Sequence, residues 1–447
     1  MNILFAVHHF PPRYSGGAEL RAYRTAAALQ PRGHFVRVVC VEHIDLNTAP
    51  RDGSLHDETA RGLTCTVDHY DGIETYRLSF NLAEADDPFK WGYDNPQIEA
   101  FFREWLPLWN PDVFHLIGGY LISASALRAA RSHHIPRVVT LTDFWWLCPR
   151  IQLLRSDGSL STLPIQAVRC ARCLGEEKRR YRWLGKIAPS FMNLYWELRK
   201  EKVRSIAERT NLLRQELNQV DRIICPSRFL LETHRAAGIA ADKLVYSRQG
   251  RDFAKLDPAA LTKTPANHLR IGYIGQIAEI KGVHVLLEAV QKIAQDNLQV
   301  VVYGNLTPFP RYTARLQASE RQDKRIRLAG MYERHEVSRV FREIDVLVVP
   351  SLWYENSPNV ILEAFAHRTP VLVSNLGGMA ELVEDGKNGL LFAVGNANDL
   401  ARQIHRLLNE PGLLAALQNG IQPVKTTAQE MDELEALYQS VSSESHA

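Results

Sequence analysis

Cysteine is scarce in this chain, with six in 447 residues, at positions 40, 65, 148, 170, 173 and 225. So few and so uneven a set does not build a disulfide framework, and it suits a reducing compartment, so a cytoplasmic location is expected. Long apolar runs are missing as well, none approaching the roughly 18 residues needed to cross a bilayer. The opening MNILFAVHHF has neither a charged leader nor a long apolar core, so no signal peptide is expected. No charge sign dominates: 53 Lys and Arg stand against 50 Asp and Glu, a net +3 too balanced to mark a nucleic-acid binder. Three signatures are absent: an Asp-x-Asp triplet that would hold a divalent ion on a diphosphate, a Gly-Lys-Ser/Thr phosphate loop, and a Gly-x-Ser-x-Gly nucleophile elbow. What remains, 45% apolar and 23% charged, is ordinary globular composition. It excludes a disordered tail, a collagen-like fibre and a small stapled scaffold, and the length fits two large domains or three smaller ones.

Short apolar runs punctuated by glycine loops organise the chain. Strands are expected at Ile3 to Val7, Phe35 to Val41, Val113 to Ile117, Val138 to Leu141 and Arg222 to Cys225, with a helix from about Ala18 to Leu29 after the loop PPRYSGG. Strand, loop, helix, strand is the βαβ unit of a parallel sheet. The pattern restarts at Ile271 to Ile274, with a helix after Gly282 to about Gln295. Strands follow at Gln299 to Tyr303, Ile326 to Leu328, Val346 to Val349, Val371 to Val373 and Leu390 to Phe392. The expected organisation is α/β throughout: a doubly wound domain over 1–250, a second over 251–425, and a last helix, about Ala428 to Ser440 within 426–447, that could return to the first. The boundary falls near 246–268, where Ser, Gly, Asp, Pro and Thr cluster. Residues about 150–215 form an insertion: a loop-like part with Cys170 and Cys173, then Glu176 to Arg214, with eleven Lys or Arg against five Glu and many aromatics.

The most informative segment is YENSPNVILEAFAHRTPVLVSNLGGMAELV. A helix starting near Pro358 or Asn359, just after a strand, turns its first N–H groups, at Asn359 and Val360, toward the carboxyl edge of the sheet, where they suit a diphosphate. Glu355 lies before that helix and Glu363 one turn inside it. A carboxylate at the second place can accept two hydrogen bonds from a ribose diol, and one at the first can hold sugar hydroxyls. Two solvated glutamates are the plain alternative.

This segment, with Gly377, Gly378 and Glu381 after it, resembles the C-terminal domain of family 4 glycosyltransferases. The likeness extends to PPRYSGGAE near the N-terminus, GYIGQIAEIKGVHVLLEA in the middle and EDGKNGLLF toward the end. It implies the GT-B architecture, two Rossmann-like domains facing a cleft. It also implies a retaining, metal-independent transfer of sugar from a UDP-, GDP- or ADP-sugar to a glycan, lipid-linked or small-molecule acceptor, with no other cofactor. By the same resemblance, Lys281 pairs with the donor diphosphate, Glu355 lies near the donor sugar, Glu363 binds the ribose, Asn359 and Val360 hold phosphate, and Gly16 and Gly17 form the loop approached by donor and acceptor. Polysaccharide or glycolipid assembly at the cell surface is the expected setting.

Two positions depart from the family pattern. Gln276 stands where most members have arginine, the second partner of the diphosphate, so either its neutral amide binds the donor there or a cation elsewhere does, with Arg251 and Arg13 as candidates. Thr142 stands where many have histidine, leaving Thr142 and Asp143 as candidates for acceptor or sugar, while His115 and Gly118-Gly119 end a neighbouring strand and His115 reads as structural. Cys170-Ala171-Arg172-Cys173 has the spacing of zinc-ligand pairs, so Cys148, Cys170 and Cys173, completed by His133, His134 or another residue, are candidates for a structural zinc. The basic, aromatic stretch over 176–214 suits either a solvated helix packed on its own domain or a peripheral position on the inner membrane face. Two rivals stand beside the transferase reading: another enzyme of the same fold, such as a nucleotide-sugar epimerase or phosphorylase, and a non-catalytic partner with a decayed site.

Overall fold

The computed structural model describes residues 1–45, 58–59, 62–252 and 261–445. They divide into two units, Met1–Gln249 with Thr427–Ala447, and Gly250–Thr426. Of the expected boundary segment 246–268, residues 253–260 lie outside the described residues.

The first unit is built on a nine-stranded sheet. Its strands are β1 (Asn2–Val7), β2 (Phe35–His43), β3 (Glu58–Thr59), β4 (Leu63–Tyr70), β5 (Ile73–Phe80), β6 (Val113–Ile117), β7 (Arg137–Thr140), β8 (Arg222–Cys225) and β9 (Leu244–Tyr246). They run in the order β3-β4-β5-β2-β1-β6-β7-β8-β9, parallel from β5 to β9. Central strands of such a sheet are covered on both faces and therefore read as unbroken apolar runs: Ile3 through Val7 are all buried. The helix Gly17–Leu29 buries Ala22, Ala26 and Leu29, one stripe at helical spacing, against β1 and β2.

Two strands that the apolar pattern did not reveal form the antiparallel hairpin β4–β5. Its turn is Asp71-Gly72, both at positive φ (47° and 78°), the two-residue chemistry that matches strand twist. Alternation with Thr, Asp, Glu and Arg hid these strands from a search for apolar runs.

The insertion corrects one expectation. Cys170 and Cys173 lie on a helix, Ala167–Gly175, rather than on a loop, and three more follow, Arg179–Ile187, Pro189–Leu198 and Lys200–Asn218. Ala171, Met192, Trp196 and Ile206 bury a small core that holds the four together, and that tertiary packing makes short helices of polar sequence stable. The last helix, Thr427–Ser445, belongs to the first unit. It buries Met431, Leu434, Tyr438 and Val441 in the core beside Phe5 and Ala26, with the buried pair Arg21–Glu430 (3.1 Å) and the more exposed pair Arg222–Glu444 (2.7 Å) tying it down.

The second unit has six parallel strands: β10 (Leu269–Ile274), β11 (Leu298–Tyr303), β12 (Ile326–Gly330), β13 (Val346–Val349), β14 (Val371–Ser374) and β15 (Gly389–Phe392). Their order, β12-β11-β10-β13-β14-β15, is the doubly wound pattern with its reversal between β10 and β13. The helix after Gly282 ends at Gln291 instead of Gln295, because Lys292 and Ile293 turn the chain into Asp296-Asn297 and β11. No helix among the described residues is long and apolar enough to cross a membrane.

Candidate functional site

In the second unit the loops after β10 and β13 meet at the topological switch point, where open α/β sheets place their ligands. Gly282 joins them. It sits at φ +70°, and a Cβ there would lie 1.9 Å from the Pro350 carbonyl oxygen. Only glycine lets the turn Glu279–Lys281 press so close on the strand-end loop. Leu352 N–H donates to the Ile280 carbonyl at 2.8 Å and locks the contact.

That clamp sets Lys281 against Glu355. The Lys281 ammonium donates to Glu355 Oε1 at 2.6 Å, and the same oxygen accepts from Ser351 Oγ at 2.8 Å and Trp353 Nε1 at 3.0 Å. Glu355 is buried, and Lys281 Nζ stands 5.0 Å from the centre of the Trp353 ring. The Glu355 main chain is held too, its carbonyl accepting from Gly378 N–H at 2.9 Å, with Gly377 at φ +58° turning the chain. Ser351 and Trp353 were missed from sequence. Their signal was there, a hydroxyl and an indole flanking the glutamate just past a strand end.

The helix Asn359–Ala366 begins at Pro358 without a side-chain cap, and the positive end of its dipole lies at Asn359 and Val360. Glu363 lies one turn in, with Arg251 Nη2 at 3.4 Å from Oε1. Gln276 is exposed, and its carbonyl accepts from Tyr273 OH at 2.7 Å. Thus the unit brings Lys281 and Glu355 into direct contact and keeps Arg251 engaged with Glu363. Arg13, in the first unit, is engaged with His43 (2.8 Å) and Glu42 (3.7 Å).

The first unit gathers a second group at the carboxyl ends of β1, β6 and β7. Gly16 precedes the helix at φ −72°, a value any residue adopts, and a Cβ there would meet the Glu19 carboxylate at 2.5 Å, whereas one on Gly17 would meet nothing within 4 Å. Glu19 lies 3.3 Å from His8 Nε2, and His8 packs edge-on to Tyr120. The contact with His8 outweighs the burial of Glu19 and holds its carboxyl below the usual range. Gly118, at φ +86°, leaves room for Thr142: a Cβ would sit 3.1 Å from Thr142 Oγ1. Thr142 Oγ1 donates to Asp143 Oδ2 at 3.2 Å, and Trp145 N–H to Oδ1 at 2.7 Å. Burial pushes the Asp143 carboxyl above its ordinary value despite partial access to solvent, against the pull of His8 and Arg209. Arg209 is buried, donates to the Trp145 carbonyl and lies over the Tyr93 and Trp145 rings; desolvation lowers its guanidinium to about 10. His8 and Arg209 had no motif to announce them, since they reach Asp143 from distant segments, and Glu19, the last residue of PPRYSGGAE, meets His8 instead. His115 does not end its strand. It is mid-strand and buried, with Nδ1 2.5 Å from Tyr438 OH and Nε2 2.8 Å from Thr140 Oγ1.

The cysteines do not form the expected metal set. No group of three or more His, Cys, Asp or Glu among the described residues could hold a metal ion. Burial pushes the Cys148 thiol up and the Cys170 thiol to about 12. Cys173 Sγ accepts from Ser156 N–H at 3.3 Å, and His133 contacts the Arg103 carbonyl at 3.1 Å.

Comparison with known proteins accords with both units. The family model "Glycosyltransferase Family 4" matches residues 15–254, and "Glycosyl transferases group 1" matches 268–410. The glycogen synthase of Mycobacterium tuberculosis (strain CDC 1551 / Oshkosh) is 23% identical over 432 residues, covering 92% of this chain and 87% of that protein. The putative colanic acid biosynthesis glycosyltransferase WcaL of Escherichia coli (strain K12) is 28% identical over 174 residues; the match covers 37% of this chain and 42% of WcaL. Among solved structures, Anabaena Alr3699/HepE in complex with UDP superimposes with a TM-score of 0.65 at 17% identity, covering 98% of this chain and 100% of that one. Sucrose-phosphate synthase from Thermosynechococcus elongatus does so at 0.64 and 17%, covering 98% of each. With one family model spanning more than half of its length and the fold shared end to end, the chain belongs to glycosyltransferase family 4 and is a glycosyltransferase of the two-Rossmann-domain GT-B fold.

Proposed function

We propose that this glycosyltransferase moves a sugar from a nucleoside-diphosphate sugar to an acceptor hydroxyl, with retention at the anomeric carbon and without a catalytic metal. The observation that carries the reading is the contact between Lys281 and Glu355 at the switch point, beside the start of the helix Asn359–Ala366. In this reading the Lys281 ammonium and the helix start neutralise the negative charge that grows on the leaving diphosphate as its bond to the sugar breaks. Glu355 holds the sugar hydroxyls, and its link to Lys281 couples the sugar and diphosphate positions. Glu363 takes the ribose diol. The acceptor hydroxyl attacks from the face the diphosphate leaves, and a leaving phosphate oxygen takes its proton. In the first unit Thr142 and Asp143 hold acceptor or sugar hydroxyls, and Gly16 and Gly17 keep the chain low where the phosphate approaches.

Support for the donor class comes from the UDP and UDP-glucose complexes of the Anabaena neighbour, and for the setting from the colanic acid relative. We place the enzyme in the cytoplasm, in assembly of a cell-surface polysaccharide or glycolipid. The test is calorimetry and thermal shift with UDP, GDP, ADP and their sugar conjugates, with and without EDTA, followed by NMR of the product anomer. Tight binding of one nucleotide that EDTA leaves unchanged, with the donor's anomeric configuration kept in the product, is the expected result. No nucleotide binding would overturn the reading and favour a decayed site; an inverted product would overturn retention.

A further inference from the structure

The helical insertion of the first unit exposes an apolar surface that no other part of the described residues covers. Trp183, Ile187, Phe191, Leu194 and Leu198 are each between 55% and 70% exposed. They are not scattered. Trp183 and Ile187 are four apart on the helix Arg179–Ile187, so they share a face. Phe191, Leu194 and Leu198 stand at i, i+3 and i+7 on the next helix, Pro189–Leu198, and share one as well. The opposite faces are used for packing: Met192 and Trp196 are buried in the insertion's own core, with Tyr181 and Leu184 against them. The outward residues therefore do not serve the fold. With large apolar side chains offering on the order of 200 Å² each, about 600 Å² of apolar surface stands open across the two helices.

Charge decides what covers it. Between positions 177 and 202, eight Lys and Arg are exposed against three exposed Glu, a local net +5. A second copy would bring the same cations face to face and repel. A bilayer with anionic headgroups meets both needs, taking the apolar side chains at the acyl boundary and the cations among the phosphates. The insertion also lines a cavity of about 400 Å³ with Leu174, Tyr181, Tyr195 and Trp196 together with the cations Lys178 and Arg199, a mix that suits one headgroup and its first methylenes. We propose that this face docks the enzyme on a membrane that carries anionic lipid, with the helices Arg179–Ile187 and Pro189–Leu198 lying in the interface.

The test is flotation of the full chain with vesicles of phosphatidylcholine alone and with about 30% phosphatidylglycerol. We expect binding to the anionic vesicles only, weakened several-fold when salt shortens the screening length from about 10 Å to about 3 Å. The variant Trp183→Gln, Phe191→Gln, Leu198→Gln should lose at least tenfold in binding with its unfolding midpoint unchanged. The variant Arg179→Glu, Lys186→Glu, Lys202→Glu changes only exposed residues, keeps the apolar face, and should also lose anionic binding. Equal binding to both vesicle types, none to either, or wild-type flotation of both variants would overturn the proposal. So would a dimer in light scattering that the apolar variant turns to monomer, which would assign the face to a second copy.

Discussion

Replacing Lys281 by methionine probes the centre of the site most directly. Glu355 Oε1 takes three donors, and the ammonium at 2.6 Å is the only charged one of the three. Methionine keeps the stem and removes the charge, leaving a buried carboxylate with two neutral partners. Breaking a fully buried pair costs about 3–5 kcal/mol. The Lys281 side chain keeps 22% exposure, and solvent screening lowers the figure to roughly 1–2 kcal/mol. In a unit of this size that is a fall of about 2–8 °C in its unfolding midpoint. Binding should suffer separately, because a charge-assisted contact to a diphosphate is worth about 1.5–3 kcal/mol, roughly ten- to a hundredfold in Kd. The assay is calorimetry with the nucleoside diphosphate that the wild type prefers, beside thermal unfolding without ligand. The double variant Lys281→Met, Glu355→Gln removes the stranded charge and should recover most of the stability while binding stays weak. Wild-type nucleotide affinity in Lys281→Met would refute the reasoning, since Lys281 would then not reach the diphosphate. Unchanged stability in that variant would show that the pair is solvated and holds nothing in place.

Gly282→Ala should destabilise the second unit by at least about 2 kcal/mol, from a positive φ and a Cβ driven into the Pro350 carbonyl, and should weaken nucleotide binding; urea midpoints and calorimetry measure both. Asp143→Asn should lower kcat/KM for acceptor by about a hundredfold and leave nucleotide Kd alone, which steady-state kinetics with each substrate varied will show. Burial holds His115 down to about 3, with Arg21 adding to the effect, whereas the unfolded chain protonates near 6.5, so the unfolded state gains a proton first as pH falls. Its contribution is intact above about pH 6.5 and is lost below that at about 1.4 kcal/mol per unit until about pH 3. Urea midpoints at pH 7, 6 and 5 should show a shallower slope in His115→Asn than in the wild type. Tyr438→Phe should cost about 1–2 kcal/mol by removing the partner of His115 Nδ1, read from the same denaturation curves.

Local signals accounted for much of this protein. Unbroken runs such as Ile3 to Val7 and Val346 to Val349 declare buried parallel strands, because both faces must be apolar. Proline and two glutamates at set spacing after a strand marked Glu355 and Glu363 as one neighbourhood, since the strand-loop-helix geometry is local, whereas Lys281 came only from the family resemblance. The hairpin at Asp71-Gly72 was missed, because its strands alternate polar and apolar residues and only its turn carries a local signal.

Other features depended on distant segments meeting. The last helix joins the first unit because Tyr438 and Met431 fill a gap beside Phe5 and Ala26 and Glu430 meets Arg21, contacts hundreds of residues apart in the chain. Cys170 and Cys173 have a metal-like spacing, yet among the described residues the fold gathers no set of three or more ligands around them. Asp143 acquires its surroundings from His8, Thr142 and Arg209, which the fold alone brings together. Even the Lys281–Glu355 contact needed the tertiary structure, because a glycine pressed against the Pro350 carbonyl sets the distance between two loops 74 residues apart. Sequence determined which groups stand at strand ends and helix starts, where backbone geometry is local. Packing decided which of them touch, which are desolvated, and which apolar side chains of the insertion were left facing out.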